Sequence, residues 1–157
     1  MILPEQAVIL LVESHPGDTQ IIRKAFKQAR VPNPFLLAHN GEEALQYLEG
    51  TGKYSNRDEF PLPDIMLLDL KLSGIDGFEV LRTIREHPSY NALRVIVLAA
   101  PGELEEINRA YELGANSYLI KPIEFENYAT LLRTLSSFWL HVSRAPRITR
   151  GNPQEGN

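Results

Sequence analysis

Apolar residues fall in five short runs along the chain, each about the length of a β-strand. These runs occupy residues 7–12, 35–39, 64–70, 94–100 and 116–120. All but the second, weaker run lack the alternation of apolar and polar positions, which is typical of strands covered on both faces. The pattern therefore predicts five strands in a sheet that is packed on both sides.

Amphipathic helices are predicted between and after these runs, because apolar residues recur there at helical spacing. The helical segments are residues 16–30, 41–49, 76–86, 103–113 and 124–142. Pro88 should stop the third helix, and Gly114 should cap the fourth. Strand and helix thus alternate five times, which indicates an open parallel sheet with right-handed crossovers and helices on both faces. Ligands of such sheets bind at the carboxyl ends of the strands.

Composition narrows the class of protein. The chain has 157 residues, enough for one domain with a full core, and no cysteine, which excludes disulfides, Cys-ligated metals and thiol catalysis. The net charge of −4 argues against nucleic acid as the main partner. The apolar runs are far shorter than the roughly 18 residues that cross a bilayer, and no basic-then-apolar leader opens the chain. We therefore expect a cytoplasmic protein that does not bind membranes.

The charges are unevenly placed. Residues 1–142 carry a net −6, whereas residues 143–157 carry a net +2 from three arginines, Arg144, Arg147 and Arg150, against Glu155. The second segment is also rich in Pro and Gly and poor in apolar residues. We predict a folded domain over residues 1–142 and a flexible polar tail over residues 143–157. The alternative for the three arginines is a partner-binding arm.

Charged side chains stand where the predicted strands end. Glu13 follows the first strand, Asp69 lies at the end of the third, and Lys121 and Pro122 follow the fifth. Parallel strands bring these ends to one edge of the sheet, so two carboxylates and a lysine should converge. A carboxylate beside a lysine can accept a phosphoryl group, with a divalent cation neutralising the remaining charge.

The chain resembles the receiver domains of two-component response regulators, in particular the stand-alone kind that works with phytochrome-type histidine kinases. The matching motifs are Leu10-Leu-Val-Glu13, His15-Pro-Gly-Asp18, Asp64-Ile-Met-Leu-Leu-Asp69-Leu-Lys-Leu-Ser-Gly-Ile-Asp-Gly77, Glu112-Leu-Gly-Ala-Asn-Ser-Tyr118-Leu-Ile-Lys121-Pro122 and Phe138-Trp139-Leu140. The segment of residues 50–63 also resembles the enlarged loop of that subgroup. The resemblance implies a flavodoxin-like (βα)5 fold with strand order 2-1-3-4-5.

The resemblance also implies roles for individual residues. Asp69 matches the aspartate that accepts phosphate from a kinase histidine, and Lys121, before a cis-prone Pro122, matches the lysine that contacts the phosphoryl group. Glu13, Asp69 and the backbone carbonyl of Lys71 would hold Mg2+. Tyr118 matches an aromatic switch position, whose ring turns inward on activation.

Three residues depart from the family pattern at the site. Ser14 stands where the family has a second metal-binding acid, Ala99 where it has a hydroxyl, and Lys71 where it has a small polar residue. Counting Glu13 and Asp69 against Lys121 and Lys71 gives a formal charge of zero, so we expect weak Mg2+ binding.

Two side chains beside this site have alternative interpretations. The Lys71 ammonium either pairs with Asp69 or Glu13 in place of the metal, or is solvated. Asp18 is interpreted as a helix-start residue, with substitution for the missing metal ligand as the alternative. The four histidines lack ligand spacing and are interpreted as ordinary surface or loop residues.

The last helix carries a wider apolar stripe than one core face requires. We therefore predict a homodimer through this helix and its neighbouring strand, with Tyr128, Leu135, Phe138 and Trp139 in the interface.

Several functions remain open at this point. The leading hypothesis is a single-domain, non-enzymatic response regulator that signals by protein contact, since no effector domain follows Val142. A phosphate-independent pseudo-receiver that docks or dimerises is the close alternative. A small phosphatase with an Asp nucleophile is a distant one, since such an enzyme would need a second Asp where Lys71 stands. A flavodoxin would need a Ser/Thr-rich phosphate loop after the first strand, which is absent.

Overall fold

The computed structural model describes residues 3–144, 146 and 148. Its five parallel strands form one sheet in the order 2-1-3-4-5, which confirms the predicted fold class. The strands are β1 (Ile9–Val12), β2 (Phe35–Ala38), β3 (Ile65–Leu68), β4 (Arg94–Ala99) and β5 (Ser117–Ile120). All four strand pairings are parallel, with Ile9 opposite both Phe35 and Ile65.

Five α-helices alternate with the strands. They are α1 (Pro16–Gln28), α2 (Gly41–Glu49), α3 (Gly77–Glu86), α4 (Leu104–Glu112) and α5 (Phe125–Ser136). The helix α3 ends two residues before Pro88, and Gly114 follows α4 with a φ of +102°, as the two stop signals predict. The last predicted helix is one residue shorter at its start, and its final part, Ser137–Val142, is π-helical. Short 3-10 turns cover Pro4–Gln6 and Gly52–Tyr54.

Each central strand contributes to two cores, one on either face of the sheet. Leu10 and Leu68 pack with α2, α3 and α4, whereas Leu11 and Leu67 pack with α1 and α5. Because both faces are covered, successive residues of β1 and β3 are all buried, which explains the missing alternation. The edge strand β5 is only half-buried, so the predicted two-sided burial of residues 116–120 is wrong at this edge.

The long segment between α2 and β3 is folded onto the body of the protein. The Arg57 guanidinium donates hydrogen bonds to the carbonyls of Tyr47, Leu48 and Phe60 at 2.7, 2.8 and 3.1 Å. The first two of these carbonyls belong to the last turn of α2, where helical donors run out; the Tyr47 carbonyl also accepts the Gly50 amide at 3.2 Å. The Tyr54 and Phe60 rings pack against each other and against Tyr47. One arginine therefore closes the helix and holds the loop.

The carboxy-terminal segment is described only in part. Residues 145, 147 and 149–157, with Arg147 and Arg150, lie outside the described residues, so the flexible tail stays a prediction. Ile148 is half-buried and packs against the core on the α2–α4 face of the sheet. Arg94 donates a hydrogen bond of 3.3 Å to the carbonyl of Arg144. Within the part of the chain that the structure describes, no helix combines the length and apolarity needed to span a membrane.

Gly77 is the position where the fold tolerates a side chain least. A Cβ atom there would lie 2.6 Å from the Cα of Leu70, and therefore against the backbone that follows Asp69. We predict that Gly77→Ala lowers the free energy of unfolding by about 1–3 kcal/mol through overpacking. Denaturant unfolding followed by the fluorescence of the single tryptophan, Trp139, measures this change.

The matched control is Gly17→Ala in the first turn of α1. Its Cβ would have nothing within 4 Å, and alanine is the better helix former, so stability should stay equal or rise slightly. Equal stability of the two variants would contradict the close packing at Gly77.

Candidate functional site

The carboxyl ends of the strands bring together the three charged residues that the sequence predicts to converge. Glu13 directly follows β1, Asp69 directly follows β3, and Lys121 directly follows β5. Backbone hydrogen bonds to a neighbouring strand fix all three in register. The Glu13 amide donates to the Ala38 carbonyl at 3.1 Å, the Asp69 amide to the Val12 carbonyl at 3.0 Å, and the Lys121 amide to the Ala99 carbonyl at 2.7 Å. The sheet itself therefore builds the site.

Lys121 is the centre of this site. Its Nζ donates to Glu13 Oε2 at 2.8 Å, to Asp69 Oδ2 at 2.9 Å and to Asp18 Oδ2 at 3.0 Å. Only 10% of the Lys121 side chain is exposed, compared with 1% for Glu13 and 5% for Asp69. A single ammonium therefore balances three carboxylates in a largely buried pocket.

Asp18 is a member of the site that the favoured interpretation of the sequence missed. It lies in the first turn of α1, where an acid is favourable for the helix dipole, and this ordinary explanation hid its second contact. The signal was its position four residues after Ser14, which places it one turn into the helix that leaves the site. Its side chain is 35% exposed, so it forms the open side of the pocket.

His15 also lies closer to the site than its interpretation as an ordinary surface residue implies. Its backbone amide donates to Glu13 Oε1 at 3.1 Å, and its Nδ1 lies 3.4 Å from the same oxygen. Potential ligand atoms of Glu13, His15, Asp18 and Asp69 all lie within 4.8 Å of one another. The imidazole is largely exposed and stands at the rim of the pocket.

The charges of this cluster shift the pKa values of its members. Burial alone would lower the pKa of Lys121, but hydrogen bonds to Glu13, Asp69 and Asp18 raise it overall. Burial raises the pKa of Glu13, and the neighbouring Asp69 charge adds to this effect while Lys121 opposes it. The ammonium is therefore held in its charged form by the carboxylates around it.

The Lys71 side chain does not pair with Asp69 or Glu13 in place of the metal, which was one of its two interpretations from the sequence. Its side chain is exposed and lines a groove with Phe78, Glu106 and Arg109, and among residues 3–144, 146 and 148 no ion pair joins it to Glu13 or Asp69. Its backbone amide donates to Asp69 Oδ1 at 3.3 Å. The formal charge of zero is therefore wrong: three carboxylates and one lysine leave the pocket at −2.

Ser14 and Ala99 stand at the site but supply none of the missing chemistry directly. The Ser14 hydroxyl accepts a hydrogen bond of 2.9 Å from the Ser73 amide, so it is directed at the loop after β3. Ala99 is buried at the end of β4 and has no polar side-chain atom. The Lys121–Pro122 peptide bond is not cis; no described peptide bond is.

Tyr118, the predicted switch residue, is held on the α4 side of the sheet. Its hydroxyl donates to Glu106 Oε1 at 3.2 Å, and its amide donates to the Tyr111 hydroxyl at 3.0 Å. Burial, together with the charges of Glu106 and Asp69, raises the pKa of Tyr118 to about 12. The hydrogen-bond acceptor for the Tyr118 hydroxyl is therefore a carboxylate of α4. A groove of about 730 Å³ opens beside Glu106, between α3 and α4.

Two of the four residues predicted for a dimer interface lie inside the protein. Tyr128 and Leu135 are each 4% exposed and pack in the core with α1. Trp139 is half-buried, and its ring faces the Arg94 guanidinium at 5.4 Å. Of the four, Phe138 alone is exposed. The wide apolar stripe is explained mostly by the core contacts of α5.

The donor set fits a divalent cation. Mg2+ and Mn2+ prefer oxygen ligands, and carboxylates supply both the oxygens and the compensating charge. Glu13, Asp18 and Asp69 present such oxygens from three different elements, and the formal charge of −2 matches one divalent ion.

Removal of the ammonium should expose how strongly these carboxylates repel one another. We predict that Lys121→Met, measured in EDTA, lowers the free energy of unfolding by about 3 kcal/mol or more, because three carboxylates lose their shared partner. Lys53→Met is the control, since Lys53 is exposed and surface ion pairs such as the one that it forms with Glu43, at 3.5 Å, contribute little to stability. Equal losses in the two variants would contradict a central role for Lys121.

Comparison with known proteins identifies the family. The model of the response regulator receiver domain matches residues 9–133. Response regulator Rcp1 of Synechocystis sp. is 31% identical over 139 residues, which cover 88% of this chain and 92% of Rcp1. The structure of its Mn2+-bound form aligns with a TM-score of 0.79 at 30% identity, over 90% of this chain and 99% of that one.

Two further solved structures are similar over the same share of both chains, 90% of this chain and 99% of theirs. A response regulator in red light signaling of R. palustris aligns with a TM-score of 0.86 at 31% identity. The phosphorylated cyanobacterial phytochrome response regulator RcpA aligns with a TM-score of 0.82 at 31% identity. With the strand order and the carboxylate–lysine site, these matches show that the chain belongs to the response regulator receiver domain family.

Proposed function

We propose that this receiver accepts a phosphoryl group at Asp69 from a histidine kinase and signals by protein contact. The observation that carries the proposal is the buried contact of Lys121 Nζ with Asp69 Oδ2 at 2.9 Å, inside a pocket with a net negative charge. The contact holds a carboxylate next to an ammonium that can follow the charge onto the transferred phosphoryl oxygens. The proposed role is that of a signalling protein and not of an enzyme.

The residues divide the work of this transfer. An oxygen of Asp69 forms the new P–O bond while the P–N bond to the kinase histidine breaks, and its electron pair returns to the imidazole. Lys121 neutralises the phosphoryl oxygens, and the Lys71 amide, which donates to Asp69 Oδ1, fixes the carboxylate plane. A divalent cation held by the carboxylates would offset the remaining negative charge.

The proposed partner is a histidine kinase of the phytochrome type. The support comes from relatives: RcpA is described as a phytochrome response regulator, and the R. palustris protein acts in red light signaling. Similarity extends over nine-tenths of this chain in both cases. The cytoplasmic location remains a prediction from the sequence.

A phosphate-independent pseudo-receiver is the second candidate. The observation in its favour is Ala99, which offers no hydroxyl to a phosphoryl group, while Tyr118 is already bound to Glu106. The three-carboxylate pocket favours the phosphorylated receiver, because its charge suits a divalent cation.

Chemical phosphorylation separates these candidates. We predict that a small phosphodonor such as acetyl phosphate, together with Mg2+, adds one phosphoryl group to the intact protein, as measured by mass spectrometry. The addition should disappear in Asp69→Asn and in EDTA, and persist in Asp58→Asn, which makes the same change at an exposed loop residue.

A folded protein that takes up no phosphoryl group would contradict phosphoryl transfer and favour the pseudo-receiver. Continuous release of phosphate from p-nitrophenyl phosphate, lost in Asp69→Asn, would instead show the phosphatase activity that the sequence left as a distant alternative.

We further propose a homodimer formed through the end of the last helix. Phe138 is 51% exposed and Val142 is 67% exposed, and both line a groove of about 500 Å³ with Thr130 and Arg133. Neighbouring exposed apolar residues of this size are typical of interfaces. The proposed interface is narrower than the one predicted from the sequence, since Tyr128 and Leu135 are buried within the chain.

Sedimentation velocity tests this interface. We predict a dimer at micromolar concentration and a monomer for Phe138→Glu, because the introduced carboxylate would have to be desolvated in the interface. Ile123→Glu is the control: Ile123 is 93% exposed, lies before α5 and should leave the dimer intact. A monomeric wild-type protein, or equal effects of both variants, would contradict the proposal.

A further inference from the structure

The pocket has lost one acid and holds another in its place. Ser14 stands where the family has its second metal-binding acid, yet the pocket still contains three carboxylates, because Asp18 reaches it from α1. The negative charge that Ser14 does not supply is therefore supplied by Asp18, four residues further along the chain.

Ser14 is committed to another contact. Its hydroxyl accepts the Ser73 amide at 2.9 Å, which joins the loop after β1 to the loop after β3. A hydroxyl carries no charge, so even a free Ser14 would be a poor substitute for a carboxylate as a ligand for Mg2+ or Mn2+. Ser14 thus acts on the shape of the pocket and not on its charge.

Asp18 has the position and the exposure that a cation ligand needs. Its Oδ2 lies 3.0 Å from Lys121 Nζ, the same positively charged atom that Glu13 and Asp69 contact at 2.8 and 2.9 Å. Three oxygens from three elements thus already converge on one positive charge. The side chain is 35% exposed, which leaves an open side for the water ligands that Mg2+ retains.

We infer that Asp18 replaces the missing acid as a ligand of the divalent cation, and that Lys121 occupies the carboxylates until the cation binds. This inference rests on the proposed function, because the cation is the one that phosphoryl transfer at Asp69 requires. Cation affinity would then be set by a competition with Lys121, whose Nζ contacts Glu13, Asp69 and Asp18 at 2.8, 2.9 and 3.0 Å. The helix α1 becomes part of the site through its first turn.

Mn2+ binding to the unphosphorylated full chain tests the inference, with free Mn2+ measured by electron paramagnetic resonance. We expect Asp18→Asn to weaken binding by about tenfold or more, since even the loss of groups that only support metal ligands costs 10–100-fold. Ser14→Ala should bind as the wild type does. The double variant Ser14→Asp/Asp18→Asn should recover affinity, because it returns the carboxylate to the position that the family uses.

Unchanged Mn2+ affinity in Asp18→Asn would overturn the inference, as would a wild-type protein that binds no Mn2+ while Ser14→Asp does. Circular dichroism checks that each variant is folded. If Asp18→Asn does not fold, Asp18→Ser takes its place, because serine is also suited to the start of a helix. Trp139 fluorescence is a poor reporter of cation binding, because Trp139 contacts Arg94, the first residue of β4, and the site lies at the other end of the strands.

The two proposals fail in different ways. A protein that binds Mn2+ through Asp18 but takes up no phosphoryl group removes the proposed function and keeps the ligand assignment. A protein that is phosphorylated at Asp69 while Asp18→Asn binds Mn2+ normally removes only the ligand assignment.

Discussion

The attraction between one buried ammonium and three carboxylates is the interaction on which this site depends. Glu13 and Asp69 are almost inaccessible to solvent, and two such charges side by side would be unstable without a counter-charge. Lys121 supplies it, and in doing so ties the ends of β1 and β3 and the start of α1 to the end of β5. The same ion pairs therefore neutralise the buried charges and hold the carboxyl ends of the strands together.

These ion pairs require the strands to end in register. Parallel pairing of β1 with β3 and of β4 with β5 sets the heights at which Glu13, Asp69 and Lys121 leave the sheet. The pairing is in turn specified by strands buried on both faces, because a slip of one residue would exchange the two cores. The pattern of apolar residues in the strands thus determines the positions of the charged residues that directly follow them.

The fold was predictable from the sequence because its signals are local and mutually consistent. Apolar runs without alternation, helical spacing between them, Pro88 and Gly114 all point to one architecture. The residues that directly follow a strand, such as Asp69 and Lys121, were predictable for the same reason. Edge burial was not, since the run over residues 116–120 looks like a central strand until its neighbours are known.

The parts of the site that sequence reasoning missed depend on side-chain direction. Asp18 has a sufficient local explanation as an acid in a first helical turn, and its position one turn after Ser14 places it near the site without showing that it also faces Lys121. Lys71 follows Asp69 by two residues, yet its side chain points to the groove beside α4 and away from the carboxylates. The stripe on α5 was ambiguous because a helix under α1 and a helix in an interface share one periodicity.

The ion pair between Asp18 and Lys121 also has a mechanical consequence. Asp18 belongs to the first turn of α1, and Lys121 lies four residues before α5 begins, so the pair fastens these two adjacent helices at the same end. Any event that draws Lys121 towards Asp69 alone unfastens them there, while their buried contacts farther along stay in place. A chain of contacts thus runs from Asp69 through Lys121 and Asp18 to the packed face of α1 and α5, and it includes neither Ala99 nor Tyr118.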